Sequence, residues 1–290
     1  MTPALEIQNL SKTFSGKKGS RVEALKELSL TVAPGEVFGF LGPNGAGKST
    51  TIKILMGLIK PTSGEVFVAG NPASSLSARK KTGYLPENPS LYDYLTADEY
   101  LLFVGKTFEM SDSQIIDAAD RILKLVDLHT ARKRPIRTFS KGMTQRLALA
   151  QALIHDPEVF ILDEPMSGLD PLGRALVKDI IEDLKKQGKC VFFSTHITAD
   201  VEQVCDRVGI LVAGSLRSVE SLSTVFSEGI EGYQVFYETL SGSNERFIPK
   251  DQISEGIHDI TDCGGRISLI EPRRKDLEAF FLDIVKTKPE

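Results

Sequence analysis

The first part of the chain shows two kinds of hydrophobic pattern. Leu28, Leu30 and Val32 fall on every second position, as Leu5 and Ile7 do earlier, which predicts strands with one buried face. The stretch 37–41 is apolar or glycine throughout, which is typical of a strand covered on both faces. The chain therefore begins with an antiparallel β region that leads into a buried strand.

From about residue 90 to 135 the pattern becomes helical. Thr96 and Glu99 have the spacing of a capping box, and so do Ser111 and Gln114. A stripe at helical spacing follows the second box and predicts a buried helix face: Ile115, Ala119, Ile122, Leu123 and Val126. We therefore predict a helical subdomain, about residues 88–138, inserted between β/α units.

The β/α pattern then resumes. A helix is predicted over 144–155 and a buried strand over 159–163, and Asp170-Pro171 has the sequence of a helix start. Residues 190–194 form the next apolar strand. Four leucine and isoleucine residues are predicted to line one face of the helix between them: Leu172, Leu176, Ile180 and Leu184. This alternation predicts an α/β fold with a largely parallel sheet and helices on both sides.

The last quarter of the chain lacks long apolar strands. Short strands are predicted over 233–237 and 266–270, and an amphipathic helix over 275–286. We therefore predict two domains, residues 3–218 and 219–290, of which the second is a small α+β appendix.

Composition narrows the functional classes. The 290 residues are 41% hydrophobic and 26% charged, which argues against a disordered or fibrous chain. The formal net charge of −4 gives no basic surplus, so no nucleic-acid partner is expected. No apolar run approaches the length of a membrane span, and Met1 to Leu10 does not resemble a signal peptide.

The chain has three cysteines, Cys190, Cys205 and Cys263. Their spacing matches no metal or redox motif. We interpret them as reduced thiols in the core of a cytosolic protein.

A glycine-rich stretch after the strand 37–41 fits the phosphate-binding loop G-x-x-x-x-G-K-[ST]. Its members are Gly42, Pro43, Asn44, Gly45, Ala46, Gly47, Lys48, Ser49 and Thr50. The glycines allow backbone N–H groups to turn toward phosphate oxygens, and the helix that follows directs its N-terminus at them. In this motif Lys48 would hold the β and γ phosphates, and Ser49 would bind Mg²⁺.

Acidic residues end the strand 159–163. Asp163 lies at its carboxyl end, where a nucleotide-bound Mg²⁺ would meet it, and Glu164 follows as a candidate general base for an attacking water. His196 follows the next predicted strand and is placed to reach a γ-phosphate. A surface or helix-capping histidine remains the alternative for His196.

In these motifs and their order, the chain resembles an ABC transporter ATP-binding subunit over about residues 3–220. The family signature, usually LSGGQ, corresponds to Phe139-Ser140-Lys141-Gly142-Met143. The resemblance implies a P-loop ATPase core with an antiparallel β lobe. It also implies that Ser140 and Gly142 contact phosphate and that Phe14 stacks on adenine, the alternative being a Phe that anchors its loop. The loop ending at Asp170 would cross to a partner subunit.

The chain departs from the family pattern at several positions. Lys141 replaces a signature glycine and Met143 replaces the signature glutamine. Glu87 aligns with the glutamine that precedes the helical subdomain, where it would serve as a ligand of Mg²⁺ or water. These departures and the short appendix resemble the export-type branch, whose membrane partner is a separate chain.

The resemblance also implies how the protein assembles and which partner it works with. Two copies, expected to form a homodimer, would close head to tail around ATP and Mg²⁺ and drive a membrane-spanning permease subunit at the cytoplasmic face of the membrane. A soluble ABC-type ATPase of translation or DNA repair is the alternative, although it usually has two cassettes or long coiled coils. A P-loop kinase or GTPase lacks the signature, and no N-K-x-D motif is present. The cargo cannot be deduced, because cargo contacts belong to the membrane chain.

Overall fold

A computed structural model describes residues 2–16, 20–228, 230–239, 242–274 and 277–286. The strands are β1 (Leu5–Ser15), β2 (Arg21–Val32), β3 (Val37–Leu41), β4 (Ser63–Val68), β5 (Asn71–Pro72), β6 (Thr82–Leu85), β7 (Val159–Asp163), β8 (Cys190–Thr195), β9 (Arg207–Val212), β10 (Ser215–Ser221), β11 (Ile230–Thr239), β12 (Gly242–Pro249) and β13 (Arg266–Arg274). The helices are α1 (Lys48–Leu55), α2 (Leu76–Lys80), α3 (Ala97–Thr107), α4 (Asp112–Leu125), α5 (Lys141–Leu153), α6 (Pro171–Lys186), α7 (Thr198–Val204), α8 (Leu222–Glu228), α9 (Ile253–Asp262) and α10 (Leu277–Lys286). The chain divides into two compact units, Met1–Val219 and Glu220–Glu290.

The first unit is built on a six-stranded sheet with the order β10-β9-β3-β8-β7-β6. Strands β9, β3, β8, β7 and β6 pair in parallel, which confirms the predicted sheet type. Asp163 lies opposite Ser194, and Leu41 lies opposite Thr195. The loops that follow β3, β7 and β8 therefore leave the sheet along one edge, where ligands of open α/β sheets bind.

A second sheet of the same unit has the order β2-β1-β4-β5, and its pairs are antiparallel. Its inward side chains share one hydrophobic core with the parallel sheet, in which Leu10 and Val68 join Phe40, Ile52 and Phe192. This shared core fixes the antiparallel lobe against the start of α1. The phosphate loop consequently lies between two sheets that cannot shift independently.

The helical block contains α3 and α4, and both predicted capping boxes are formed. The predicted stripe behind the second box is buried. Arg132 donates from Nε to both carboxylate oxygens of Asp98, at 2.8 and 2.9 Å, and from Nη1 to Asp120, at 2.6 Å. Hydrogen bonds from Lys124, Arg132 and His129 hold the pKa of Asp120 well below its ordinary value. The loop after α4 is thus tied to both helices.

Two local predictions are wrong. Leu172 is 80% exposed, because positions four apart drift by about 40° per step around a helix of 3.6 residues per turn. The buried face of α6 instead consists of Gly173, Val177, Ile180, Ile181 and Leu184. Helix α5 begins at Lys141 rather than near residue 144, since the Ser140 hydroxyl accepts the Met143 N–H at 3.2 Å and caps the helix earlier.

The cysteines are free thiols, but they are not all in the core. Cys190 is buried, Cys205 is partly buried, and Cys263 is exposed. Burial raises the pKa of Cys205 well above its ordinary value and has the same effect on Cys190. The core prediction is therefore wrong for Cys263, which follows the polar end of α9.

The second unit contains an antiparallel sheet with the order β12-β11-β13. Val235, Ile248 and Ile260 form its small core, with α9 packed on the sheet. The helix predicted from residue 275 is described from Leu277, and residues 275–276 lie outside the described residues. Within the described ranges, no helix combines the length and apolar character needed to span a bilayer.

Candidate active site

The phosphate loop packs closely enough to require glycine at specific positions. Gly47 has φ +113°, and a β carbon there would lie 2.7 Å from the carbonyl oxygen of Ala24. A β carbon on Gly42 would lie 2.5 Å from the carbonyl oxygen of Leu211. Gly47 caps α1 without a side-chain hydrogen bond, so the first amides of the helix remain available to an anion.

Lys48 lies at the start of α1 with only 7% of its surface exposed. Its Nζ donates to the carbonyl oxygen of Gly42 at 2.7 Å and lies 3.8 Å from Oε1 of Glu164. Burial lowers the pKa of Lys48, and the carboxylates of Glu164, Asp163 and Glu87 act in the opposite direction. The ammonium is thus held in a cluster of acids, and its ion pair with Glu164 is at the long end of the normal range.

Asp163 ends β7 and is almost completely buried. The Ser194 hydroxyl donates to its Oδ1 at 2.5 Å from the neighbouring strand β8. Burial raises the pKa of Asp163, whereas the hydrogen bonds from Ser194 and Ser49 lower it. These bonds orient the carboxylate toward the first turn of α1, where a phosphate-bound cation would need an oxygen ligand.

Glu164 occupies a strained backbone position directly after β7. Its φ of +50° lies in the left-handed region, which costs a residue with a side chain about 1–3 kcal/mol. Its N–H donates to the carbonyl and hydroxyl oxygens of Ser194, both at 3.2 Å. Its Oε1 lies 2.9 Å from Nδ1 of His196. Ser194 therefore holds the backbone of Glu164 and His196 holds its carboxylate. A general base of a hydrolase needs to be held in this way.

Ser194 supports the site, although the sequence motifs do not single it out within the Ser194-Thr195-His196 segment. It is fully buried and contacts both acids, one through its hydroxyl and the other through its carbonyl and hydroxyl oxygens. The signal in the sequence is a hydroxyl residue at the end of an otherwise apolar strand, Cys190–Thr195.

Lys48 and Glu164 line an open cleft of about 570 Å³, whereas Asp163, Ser194 and His196 are not among its lining residues. Most of the phosphate loop borders it, together with Glu87 and Glu164, and β2 contributes Val22, Glu23, Ala24 and Lys26. The cleft thus combines backbone amides, one buried ammonium and several carboxylates. This combination suits a polyphosphate that carries a divalent cation.

Phe14 does not line this cleft. It lies on β1 opposite Val22, which does, and 40% of its surface is exposed. The Lys12 ammonium is 4.9 Å from the centre of its ring. Phe14 is therefore beside the cleft, with one ring face already covered by a cation.

The remaining predicted contacts lie outside the cleft. Neither Ser140, Gly142 nor Asp170 is among its lining residues. Ser140 caps α5, and Asp170 caps α6 by accepting the Gly173 N–H at 2.9 Å. A single chain therefore does not bring these residues to Lys48.

The oxygen groups near Lys48 fit Mg²⁺. Ser49 supplies a hydroxyl and Asp163 a carboxylate, which are linked by a hydrogen bond, and Glu87 interacts electrostatically with Asp163. Within the described ranges, no group of three or more His, Cys, Asp or Glu residues forms a metal cage by itself. Mg²⁺ usually takes one or two protein ligands together with phosphate oxygens and water, so such a cage is not needed.

Comparison with known proteins gives a consistent match. A family model described as ABC transporter matches residues 25–167. An uncharacterized ABC transporter ATP-binding protein of Synechocystis sp. strain PCC 6803 is 49% identical over 79% of this chain, and the chain spans 64% of that relative's length. YxlF of Bacillus subtilis strain 168, an uncharacterized ABC transporter ATP-binding protein, is 43% identical over 97% of this chain and 99% of its own. The linearmycin resistance ATP-binding protein LnrL of the same organism is 35% identical over 89% of this chain and 81% of its own length.

Solved structures resemble about three quarters of the chain. The ATP-binding subunit of an ABC transporter has a TM-score of 0.70 and 31% identity, covering 77% of this chain and 92% of its own. A dimeric ATP-binding cassette in a post-hydrolysis state, bound to ADP and Pi, also has a TM-score of 0.70. It is 28% identical and covers 75% of this chain and 98% of its own.

Proposed function

Because the chain belongs to the ABC transporter family as an ATP-binding subunit, we propose that it hydrolyses ATP in the cleft at Lys48 and drives transport through a separate membrane chain. The observation that carries this proposal is the position of Glu164. Its carboxylate is held 2.9 Å from His196 and 3.8 Å from the Lys48 ammonium. An oriented carboxylate beside a phosphate-binding loop is the arrangement that water attack on a γ-phosphate requires.

In the proposed reaction Glu164 accepts a proton from the attacking water. The oxygen of that water bonds to the γ-phosphorus, and the bond from phosphorus to the ADP oxygen breaks. Lys48 leaves its carbonyl partner, Gly42, for the phosphate oxygens, and His196 keeps Glu164 in position. Mg²⁺, held by Ser49 and Asp163 with Glu87 nearby, would neutralise charge on the phosphates.

The test is hydrolysis by a Glu164→Gln variant. A general base contributes a factor of about 10²–10⁴, so the rate should fall by that factor while nucleotide binding persists. Glu158→Gln is a matched control, since Glu158 precedes the same strand β7 at its opposite end and pairs with Lys81. A Glu164→Gln rate equal to that of the control would exclude Glu164 as the base.

The proposed working form is a dimer of two copies arranged head to tail. Ser140 and Gly142 lie outside their own chain's cleft, and a related cassette is dimeric with the products of ATP hydrolysis bound. Each ATP would then lie between the phosphate loop of one copy and the first turn of α5 of the other, with Asp170 at the crossing. ATP would act as a ligand that favours the closed dimer.

We further propose that the direction of transport is export, at the cytoplasmic face of the membrane. The relative LnrL is named for linearmycin resistance, and removal of a toxic compound is one route to resistance. An exposed aromatic cluster on the helical block would receive the membrane chain. Tyr92, Tyr94 and Phe103 are 49%, 67% and 47% exposed, and the ring of Tyr92 contacts both of the others.

Aromatic side chains of this kind are common at interface hot spots. Tyr92→Ala should therefore weaken co-purification with the membrane chain at least about tenfold, while ATP binding by the isolated subunit stays unchanged. Leu172→Ala is the control, because Leu172 is an exposed apolar residue on α6. Equal recovery of the membrane chain by both variants would place the contact surface elsewhere.

A further inference from the structure

A buried carboxylate joins the helices α6 and α7. Asp200 lies on α7, and only 3% of its side chain is exposed. Nη2 of Arg174, near the start of α6, donates to both of its carboxylate oxygens at 2.8 Å. Nζ of Lys178, one turn further along α6, lies 3.4 Å from the same carboxylate. Two cations of one helix therefore hold one acid of the other, and they offset the cost of burying its charge.

The first turn of α7 directly follows His196. Val201 and Val204 are buried and hold the later part of this seven-residue helix against the core. At its start, Ile197 occupies the position before the helix, and no side chain caps it there. Half of the His196 side chain is exposed. The position of His196 therefore depends on the contact that fixes the first turn of α7, which is the ion pair of Asp200.

A small cavity adjoins both this ion pair and the candidate base. Its volume is about 140 Å³, and its lining includes Glu164 and His196 as well as Arg174 and Asp200. A void beside a side chain supplies no packing contacts on that side. Polar contacts must therefore keep His196 in place, and its Nδ1 lies 2.9 Å from Oε1 of Glu164.

The start of α6 is fixed independently of α7. Asp170 caps the helix by accepting a backbone N–H at 2.9 Å. The loop before it packs on α5, because a β carbon on Gly168, which has φ +72°, would lie 2.7 Å from Cε of Lys141. Gln145 of α5 also donates from Nε2 to the carbonyl oxygen of Pro165 at 3.4 Å. Helix α6 thus provides a fixed point from which the ion pair can hold α7.

We propose that Arg174 and Asp200 are positioning residues for ATP hydrolysis. Their ion pair sets the first turn of α7, so that His196 holds the Glu164 carboxylate in the orientation that receives a proton from water. This role rests on the proposed function, because it requires Glu164 to be the base. Neither Arg174 nor Asp200 is among the residues that line the cleft at Lys48. Loss of the pair should therefore lower kcat and leave the KM for ATP nearly unchanged.

The first test is steady-state ATP hydrolysis by Asp200→Asn in the full-length chain. Asparagine keeps the shape of the side chain but removes the charge that Arg174 and Lys178 share. The rate constant kcat should fall about tenfold, and KM should change by less than about twofold. Arg174→Lys should keep kcat within about threefold of the parent, because a single nitrogen of Arg174 makes both contacts and an ammonium can replace it.

Lys185→Met is the matched control. Lys185 also lies on α6 and also pairs with an acid, Asp206, but this pair is three turns further along the helix and does not border the cavity. The control should keep the parent kcat. Urea unfolding of each variant checks that the chain is folded under the conditions of the assay.

A double-mutant cycle with His196→Ala separates positioning from a general structural role. If the pair acts through His196, Asp200→Asn should lower kcat by less than about twofold in the His196→Ala background. An equal loss in both backgrounds would show a general structural role and overturn the inference. A parent kcat in either Asp200→Asn or His196→Ala would overturn it as well.

The same assay distinguishes this inference from the proposed function. A Glu164→Gln chain that hydrolyses ATP at the parent rate would contradict the proposed function itself. Loss of activity in Glu164→Gln, together with a parent kcat in Asp200→Asn, would contradict the positioning role alone.

Discussion

The cleft at Lys48 and the signature segment, residues 139–143, differ in how completely one chain builds them. In the cleft, Lys48, Asp163 and Glu164 are each held by hydrogen bonds or close charges within the same chain. In the signature segment, Ser140 is used to cap its own helix, and Lys141 has no described ion pair. The cleft is preorganised for chemistry, whereas the signature segment, in the proposed dimer, would meet an ATP held by the other copy.

This difference shows why a monomer of such a chain should be a poor enzyme. Catalysis depends on groups that are in place before charge develops, and the cleft supplies the proposed base, Glu164, and a cation, Lys48. It leaves the outer side of the phosphates to solvent, since the signature segment of the same chain lies elsewhere. ATP would therefore be the substrate in the cleft and, through its contact with the signature segment of the other copy, would also hold the two copies together.

The largest effect should come from separating the two regions onto different chains. Lys48→Ala removes a charged contact to phosphate, which is worth about 1.5–3 kcal/mol, so ATP affinity should fall by about tenfold or more. Ser140→Arg should block the signature segment by bulk and leave the cleft intact. Each variant alone should be nearly inactive in ATP hydrolysis.

A mixture of these variants tests whether the sites are shared. A heterodimer has one cleft with Lys48 that faces an unaltered signature segment, so an equimolar mixture should regain about a quarter of the parent rate if pairing is random. Lys60→Ala mixed with Ser140→Arg is the matched control for a lysine outside the cleft lining. Heterodimers that form without any recovery of activity would contradict the composite site.

A smaller effect should follow from loosening the cleft alone. Ser194→Ala removes the hydroxyl that donates to Asp163 and helps to hold the Glu164 N–H. The rate constant kcat should fall about tenfold, with a smaller change in KM, because one net hydrogen bond to a charged group is lost. That bond lowers the pKa of Asp163, so the acid limb of the pH profile should move to higher pH.

The control for Ser194→Ala is Thr82→Val. Thr82 begins β6, and its hydroxyl is also buried and hydrogen-bonded, but it donates to the carbonyl oxygen of Ala78 in α2, and neither residue lines the cleft. This variant should leave both kcat and the pH profile unchanged. A Ser194→Ala enzyme with parent kcat and an unmoved acid limb would show that the hydroxyl does not position the acids.

Some parts of the cleft can be predicted from the sequence and others cannot, for physical reasons. The strands β3, β7 and β8 are predictable because continuous apolar runs are typical of buried parallel strands. The phosphate loop is predictable because its glycines and lysine have a fixed spacing. The supporting role of Ser194 is not, since it depends on which strand lies beside β7, and pairing order is not a local property of the chain.

Helix α6 and the position of Lys141 show the same limit. A four-residue spacing places Leu172 on the predicted buried face, but its rotation around the helix carries it to the solvent side. The substitution of Lys141 for glycine is visible in the sequence. Its packing on Gly168 is not, because the two residues are distant in the sequence and only the folded chain brings them together.

A last effect, on stability and not on catalysis, concerns His155, which follows α5 and lies between the parallel sheet and the helical block. Its Nε2 lies 3.2 Å from the Thr82 carbonyl oxygen of the parallel sheet, and its ring stacks on Phe108 of the helical block at 3.6 Å. Its Nδ1 is buried without a partner among the described residues. Burial is the largest cause that lowers the pKa of His155, to about 4. The folded state therefore keeps the ring neutral at pH values where the unfolded chain, with a pKa near 6.5, is protonated.

Because the unfolded state binds the extra proton, stability should fall as the pH drops from about 6.5 toward 4. Between about pH 7.5 and 5.0 the loss due to this group should be about 2 kcal/mol in the free energy of unfolding. His155→Phe keeps a stacking ring and removes the titration, so urea unfolding of that variant should lack this part of the pH dependence. His258→Leu, a change at an exposed histidine, should retain it. If parent and His155→Phe lose equal stability, the joint between α5 and the sheet does not depend on a neutral His155.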